Sequence, residues 1–240
     1  MPHFAFFGFI AILTIFLYPF AFIASFLPEV RRTVPHIIAR LWAKIIIWVS
    51  GVKVSIKGLE NINIDYPYVY AMNHQSYFDI FAILSALPIQ FKWMAKKELF
   101  YIPFLGWAMK ACGHISVDRQ NPKGAYKALE KALELIKQDY SIIIFPEGTR
   151  SKDGHIGPFK TGGIVLALRS NRPVVPVTII GTRYILPKGG RFIRPGHVKI
   201  IIDKPISTED YKETEKRKLA NNVRSIIVKN YERFNRGEIA

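Results

Sequence analysis

The chain is poor in acid and almost without cysteine. Its one cysteine, Cys112, cannot close an internal disulfide and offers no cluster for zinc; the apolar context Ala108-Met109-Lys110-Ala111 suits a buried structural thiol. Eighteen Asp and Glu face 34 Lys and Arg, a formal net charge of +16, so the partners to expect are anionic: nucleic acid, anionic lipid or a phosphorylated substrate. No internal repeat or low-complexity tract is visible, which excludes a solenoid, and 50% hydrophobic with 13% aromatic content excludes disorder. A length of 240 residues fits one large core, or one domain with an appendage.

Charge is missing altogether from Met1 to Pro28, where no Asp, Glu, Lys or Arg occurs. The run from Phe4 to Leu27 would make a helix about 36 Å long, enough for a bilayer core of about 30 Å. Pro19 interrupts it, and the first cations, Arg31 and Arg32, follow it. A cleaved signal peptide fits less well, since no Lys or Arg precedes the run. In the next segment, Val34 to Ser50, His36, Arg40 and Lys44 recur every fourth residue as a polar stripe, while Ile37, Ile38, Leu41, Trp42, Ile45, Ile46 and Trp48 fill the rest. That pattern predicts an interfacial helix whose cations snorkel to headgroups; the alternative is a core-packing helix of the main domain. Residues 1–50 are therefore expected to form a hydrophobic helical hairpin anchored in one leaflet, with a single crossing as the other possibility. Cations after the apolar run place the remainder, residues 51–240, on the cytoplasmic side of the cytoplasmic membrane.

After Gly51 apolar runs alternate with helical patterns. Val52-Lys53-Val54-Ser55-Ile56-Lys57 has strand periodicity, and further strands are predicted at Tyr68 to Met72, Phe91 to Met94, His114 to Val117, Ile142 to Phe145, Val174 to Ile180 and Val198 to Ile202. Helices are predicted over Ser76 to Leu87, Lys97 to Ala111 (broken by Pro103 and Gly106), Pro122 to Gln138, Thr161 to Ser170 and Thr208 to Phe234. The fold class is α/β, a largely parallel mixed sheet flanked by helices. Chemistry in such sheets gathers in loops at the carboxyl ends of strands.

Two of those loops carry reactive side chains. In Asn73-His74-Gln75-Ser76-Tyr77-Phe78-Asp79, Ser76 and Asp79 fit a capping box, which leaves His74 unexplained. If His74 lies in the loop and Asp79 in the first helical turn, the acid can hold one ring nitrogen and leave the other free as a base. The second loop, Pro146-Glu147-Gly148-Thr149-Arg150-Ser151, displays a hydroxyl and a guanidinium on a tight turn, a sensible phosphate site; a surface turn with an ordinary ion pair is the alternative.

Together these blocks narrow the field. NHxxxxD, then FPEGTRS about seventy residues later, with Gly113-His114-Ile115-Ser116-Val117-Asp118-Arg119 between them and Val175-Pro176-Val177-Thr178 after, resembles the four motifs of the glycerolipid acyltransferases. The resemblance spans residues 73–179, strongest in the first and third blocks. It implies acyl transfer from acyl-CoA or acyl carrier protein to the sn-2 hydroxyl of lysophosphatidic acid, giving phosphatidic acid for phospholipid biosynthesis, without cofactor or metal. His74 would then be the general base and Asp79 its orienting acid. Arg150 would hold the acceptor phosphate with Lys96 second, Arg119 carried over weakly, and Lys97 and Lys160 behind them. Backbone amides around Glu147, Gly148 and Thr149 would meet the oxyanion, with Glu147 orienting Arg150 or an amide. Phe100, Tyr101, Phe104 and Trp107 are candidates to line an acyl tunnel.

Other functions fit less of the pattern. A family member acting on another lysophospholipid or on glycerol 3-phosphate would share every motif, and a thioesterase could use the same pair to activate water. A basic protein binding anionic membrane or nucleic acid would need neither His74 nor Asp79. Nucleic acid is not expected, because the densest basic run, Lys216-Arg217-Lys218, belongs to a helix whose Leu219, Val223, Ile226 and Ile227 turn inward.

Overall fold

A computed structural model of the chain describes residues 1–238. Seven strands form a single sheet, in the order β1-β7-β6-β2-β5-β3-β4, from β1 (Val52–Lys57), β2 (Val69–Met72), β3 (Phe91–Lys96), β4 (Ile115–Val117), β5 (Ser141–Ile144), β6 (Val174–Ile180) and β7 (Gly196–Ile202). All neighbours run parallel except β6 with β7. The central strands β2, β5 and β6 are buried at every position, which is why they read as unbroken apolar runs. Pro176 interrupts no ladder, because β7 pairs with β6 only from Val177 onward and Pro176 contributes its carbonyl, accepting from Asp203 N.

Helices cover both faces. Val69, Ala71, Ile142 and Ile144 turn to one side, where α5 (Pro122–Lys137), α6 (Gly162–Ser170) and α8 (Lys216–Asn235) close the core. From α8 come Leu219, Val223 and Ile227 at four-residue spacing, each fully buried, a placement worth about 1.5–3 kcal/mol per side chain. The alternate residues Tyr70, Met72 and Ile143 meet α3 (Phe78–Ala86), α2 (Val34–Val49) and the first turns of α1 (His3–Phe26) on the other face.

Most predicted elements are present, with shifted ends. The stretch from Lys97 to Ala111 is a 3-10 turn over Lys97–Tyr101 followed by α4 (Leu105–Ala111). The last helix begins at Lys216, not Thr208, because residues 208–212 lie outside any helix and a 3-10 turn at Glu213–Glu215 comes first. A one-turn helix, α7 (Thr182–Ile185), was not expected.

The two N-terminal helices differ from expectation in detail. α1 runs through Pro19 without ending there. It is long and apolar enough to cross a membrane, with a mean hydropathy of 2.3 over its best window. Phe6 is nevertheless completely buried and stacks on Phe78 at 5.4 Å, while Phe4, Ile12, Phe16, Phe20, Ile23 and Phe26 are exposed. The cationic stripe read on α2 is not a solvated face. His36 is buried edge-on against Phe91 at 4.7 Å, and the Arg40 guanidinium donates to the carbonyls of Leu87 (2.8 Å) and Ile89 (3.1 Å). Leu87 follows the last residue of α3, so Arg40 works as a side-chain cap of that helix end. Only Lys44 of the three is exposed, and the outward side of α2 is instead apolar, with Ile37, Leu41 and Trp48.

Candidate active site

Strands β2 and β5 lie side by side and parallel, so the loops that follow Met72 and Ile144 leave the same edge of the sheet together. Asn73 sets the departure angle of the first. Where the β2–β6 ladder ends, its amide donates to Ile179 O (2.8 Å) and accepts from Ile179 N (2.7 Å), completing the sheet with a side chain.

The imidazole and the acid then meet as expected. His74 Nδ1 lies 2.7 Å from Asp79 Oδ2. A carboxylate accepts, so Nδ1 donates and Nε2 is left free to accept a proton. The same Oδ2 accepts from Gln75 N (2.7 Å) and Ser76 N (2.9 Å), so Asp79 serves the backbone turn and the imidazole at once. The capping box is thus half formed: the acid reaches back to Ser76 N, while the Ser76 hydroxyl accepts from Phe78 N and donates to Leu186 O. The second carboxylate oxygen, Oδ1, accepts from the Thr182 hydroxyl at 2.5 Å. Asp79 and Thr182 are both completely buried, whereas the His74 side chain is 15% exposed. Thr182 opens α7 after Gly181, whose φ of 97° and approach to the His197 carbonyl leave no space for a Cβ.

The faces of the imidazole are fixed as well. The ring stacks on Phe145 at 4.1 Å, and Phe145 stacks on Trp93 at 5.4 Å. Glu147 braces the loop from below: Oε1 accepts from His74 N (2.7 Å) and Oε2 from Gly157 N (2.9 Å). Burial pushes its carboxyl above the ordinary range, against the pull of those two amides. Glu147 orients amides, His74's among them, and among the described residues no hydrogen bond or ion pair joins it to Arg150. Ser151 N donates to His74 O at 2.8 Å and locks the two loops together.

Around the turn sit several cations. Gly148 adopts φ of 76°, and its amide donates to Phe145 O, which removes it from the set of oxyanion donors. The Arg119 guanidinium donates to Gly148 O, and Lys160 Nζ lies 3.2 Å from where a Gly148 Cβ would stand. Arg150 lies over the ring of Tyr77 at 3.8 Å, and Lys188 Nζ donates to Thr149 Oγ1 (3.1 Å) and Arg150 O (2.9 Å). Lys96 emerges at the carboxyl end of β3, on the expected edge, but its ammonium pairs with Glu98 (3.2 Å); Lys97 pairs with Asp118 (2.6 Å). Of the aromatic set, Phe100 is buried, Tyr101 and Trp107 are exposed, and Phe104 and Trp107 pack against Tyr18 of α1. Those contacts join α4 to α1. Asn73, Thr182 and Lys188 are additions to the sequence reading. Among the described residues no group of three or more His, Cys, Asp and Glu converges as a metal ligand set.

This arrangement can be set beside known proteins. The family model described as Acyltransferase matches residues 53–180, more than half of the chain. The chain belongs to the acyltransferase family. A chloroplastic 1-acyl-sn-glycerol-3-phosphate acyltransferase of Brassica napus is 44% identical over 178 residues, 73% of this chain and 51% of that protein. The enzyme of that name from Pseudomonas aeruginosa is 36% identical over 78% of this chain and 73% of its own length. The chain thus spans about half to two thirds of the length of its plant relatives and most of the bacterial one. The crystal structure of the 1-acyl-sn-glycerophosphate acyltransferase PlsC from Thermotoga maritima superposes with a TM-score of 0.82 at 30% identity, covering 96% of this chain and 94% of that one. The acyltransferase match takes in β1 through β6, and with them His74, Asp79 and the turn at Arg150.

Proposed function

We propose that the chain transfers a fatty acyl group from acyl-CoA or acyl carrier protein to the sn-2 hydroxyl of lysophosphatidic acid, giving phosphatidic acid. The observation that carries this reading is the His74–Asp79 pair, 2.7 Å apart on a loop bonded to the Arg150 turn. The names of the relatives above support the choice of acceptor.

The acceptor's secondary alcohol is a poor nucleophile. His74 Nε2 takes its proton as the oxygen attacks the thioester carbonyl, while Asp79 stabilises the imidazolium that forms. The tetrahedral oxyanion is met by amides of the turn beyond Gly148, a contribution of about 3 kcal/mol per donor when preorganised. Collapse breaks the carbon–sulfur bond, and the departing thiolate takes the proton back from His74. No acyl-enzyme is needed, and the chemistry calls for no cofactor or metal. Arg150 holds the acceptor phosphate, with Arg119 and Lys160 enlarging the positive field at Gly148; Lys96 stands farther out as a second-rank candidate. The exposed apolar residues of α1 and α2 lie in one leaflet of the cytoplasmic membrane, with its anionic surface against the cations and the catalytic end on the cytoplasmic side.

The test is thiol release from acyl-CoA in detergent micelles with lysophosphatidic acid, glycerol 3-phosphate or no acceptor. Turnover is expected with lysophosphatidic acid alone, lost in H74A with folding intact, and R150A raises the acceptor KM more than it lowers kcat. Undiminished thiol release without acceptor would establish a thioesterase instead.

A further inference from the structure

The Arg150 guanidinium faces a cleft to which the very start of the chain contributes. This cleft, of about 360 Å3, is lined by Tyr77, Arg150 and Leu186 together with His3, Phe7 and Arg191. The N-terminus is fastened there. Met1 donates its amino group to Ile193 O (3.1 Å) and accepts from Ile193 N (2.9 Å). His3 donates to Arg191 O twice, from its backbone N (2.8 Å) and from ring Nδ1 (3.0 Å). Residues 1–3 and 191–193 therefore act as one short two-stranded clasp, with an antiparallel bridge between Pro2 and Phe192, which holds Arg191 at the cleft that Arg150 also lines.

Two cations without an acid partner line this space. Arg150 has the Tyr77 ring beneath it, and among the described residues no carboxylate pairs with Arg150 or Arg191. Two arginines lining one opening suit a dianionic phosphate monoester, which can accept from two planar forks at once. Phe7 and Leu186 also line the cleft and offer apolar surface to the alkyl portion of the same molecule. The floor is held by the catalytic apparatus itself, since the Leu186 carbonyl accepts from the Ser76 hydroxyl.

We infer that Arg191, held by the N-terminal clasp, is a second phosphate-binding residue for the acceptor, so that the first turn of α1 is a wall of the acceptor site as well as part of an anchor. The inference rests on the reading that Arg150 binds the acceptor phosphate. A monoester fits both guanidinium groups, whereas a phosphodiester has one anionic charge fewer and a bulky substituent to place between the two walls. Arg191 would therefore discriminate lysophosphatidic acid from lysophospholipids with esterified headgroups.

The experiment uses the full chain in detergent micelles, where membrane attachment is not required for encounter. KM for lysophosphatidic acid, KM for acyl-CoA and kcat are measured for R191A, R191K and R150A. R194A is the control: Arg194 is an exposed cation three residues on, outside the cleft. R191A is expected to raise the lysophosphatidic acid KM about tenfold, the usual loss for one charged hydrogen bond, with the acyl-CoA KM and kcat within twofold. R191K should recover part of the loss, and R194A should match the wild type. A second variant removes the clasp without touching either arginine: deletion of residues 2–3 should raise the same KM and leave the acyl-CoA KM alone. An R191A acceptor KM equal to wild type beside a raised R150A value overturns the inference and spares the reading it rests on. Equal values in both variants overturn both.

Discussion

Asp79→Asn is the substitution whose outcome the site defines most closely. Asp79 takes three donors on Oδ2 and one on Oδ1, and the Oδ1 donor is a hydroxyl. An asparagine can therefore keep its carbonyl toward His74, Gln75 and Ser76 and turn its amide to Thr182, whose hydroxyl rotates from donor to acceptor. The tautomer of His74 is preserved, and the fold should lose about 1 kcal/mol or less. What disappears is the charge opposite the imidazolium. With charge centres about 4 Å apart and an effective dielectric near 20, that interaction is worth about 4 kcal/mol. The retained carbonyl dipole recovers roughly 1 kcal/mol of it, so kcat should fall by roughly 10²- to 10³-fold, with both KM values little changed. The assay is thiol release from acyl-CoA with lysophosphatidic acid, run beside thermal melts. Adding T182V to D79N strands the amide without an acceptor, and the double variant should be less stable than the sum of its parts by about 1–3 kcal/mol. A D79N enzyme within fivefold of wild-type kcat would refute the role given to the charge. A strictly additive double variant would refute the geometry at Thr182.

Other expectations follow from groups nearby and beneath the site. E147Q presents an amide to either His74 N or Gly157 N, a donor against a donor, and should cost about 2 kcal/mol in urea unfolding; an unchanged midpoint would mean that Glu147 does not brace both loops. Burial holds His36 at a pKa of about 3, helped by the charges of Arg40 and Lys92, and burial with Lys92 holds His114 well below its ordinary value. The folded state thus binds fewer protons than the unfolded chain below about pH 6.5. This stability is fully present above that pH and declines as pH falls toward 3, by about 1.4 kcal/mol per pH unit for each histidine. His114 Nδ1 accepts from Trp93 N at 3.2 Å, an interaction H114N can imitate, so melts of H114N between pH 7 and 4.5 should decline less steeply than those of the wild type. Parallel curves would show that His114 does not titrate with unfolding.

How much of this could be read from residues alone depends on how far apart the partners are in the chain. The strands were legible because β2, β5 and β6 are buried on both faces, and the His74–Asp79 pair because five residues and one turn separate its members. Thr182 was not, lying 103 residues from Asp79 with nothing local to distinguish it from any threonine after a strand. Arg191 and His3 were hidden for the same reason, 188 residues apart. The error on α2 has a different cause. Four-residue spacing shows that His36, Arg40 and Lys44 share a face but not what the face meets, and here His36 meets Phe91 and Arg40 the carboxyl end of α3, while Lys44 stays exposed. Glu147 was anticipated only in kind, as a group that orients an amide or Arg150, because its amide partners are His74, from another loop, and Gly157, ten residues on in its own long loop.

The charge surplus, ambiguous as a total, acquires meaning once the acids are placed. Away from the His74 edge, four cations are drawn into pairs: Arg169 with Glu213, Lys218 with Glu215, Arg233 and Arg236 with Glu238. Near that edge, Lys96 and Lys97 are likewise matched by Glu98 and Asp118. The two acids closest to His74, Asp79 and Glu147, are buried with both oxygens of each occupied by protein donors. They give the imidazole its partner and the loops their brace without presenting a carboxylate to an incoming anion. Arg119, Arg150, Lys160 and Lys188, none of them in an ion pair among the described residues, are gathered around one four-residue turn. A field of one sign at the turn beside His74 would raise the local concentration of the anionic substrates of the proposed reaction, and weakens with salt. In the proposed reaction His74 is thereby fed by the same surplus of cations that, counted over the whole chain, could not tell lipid from nucleic acid.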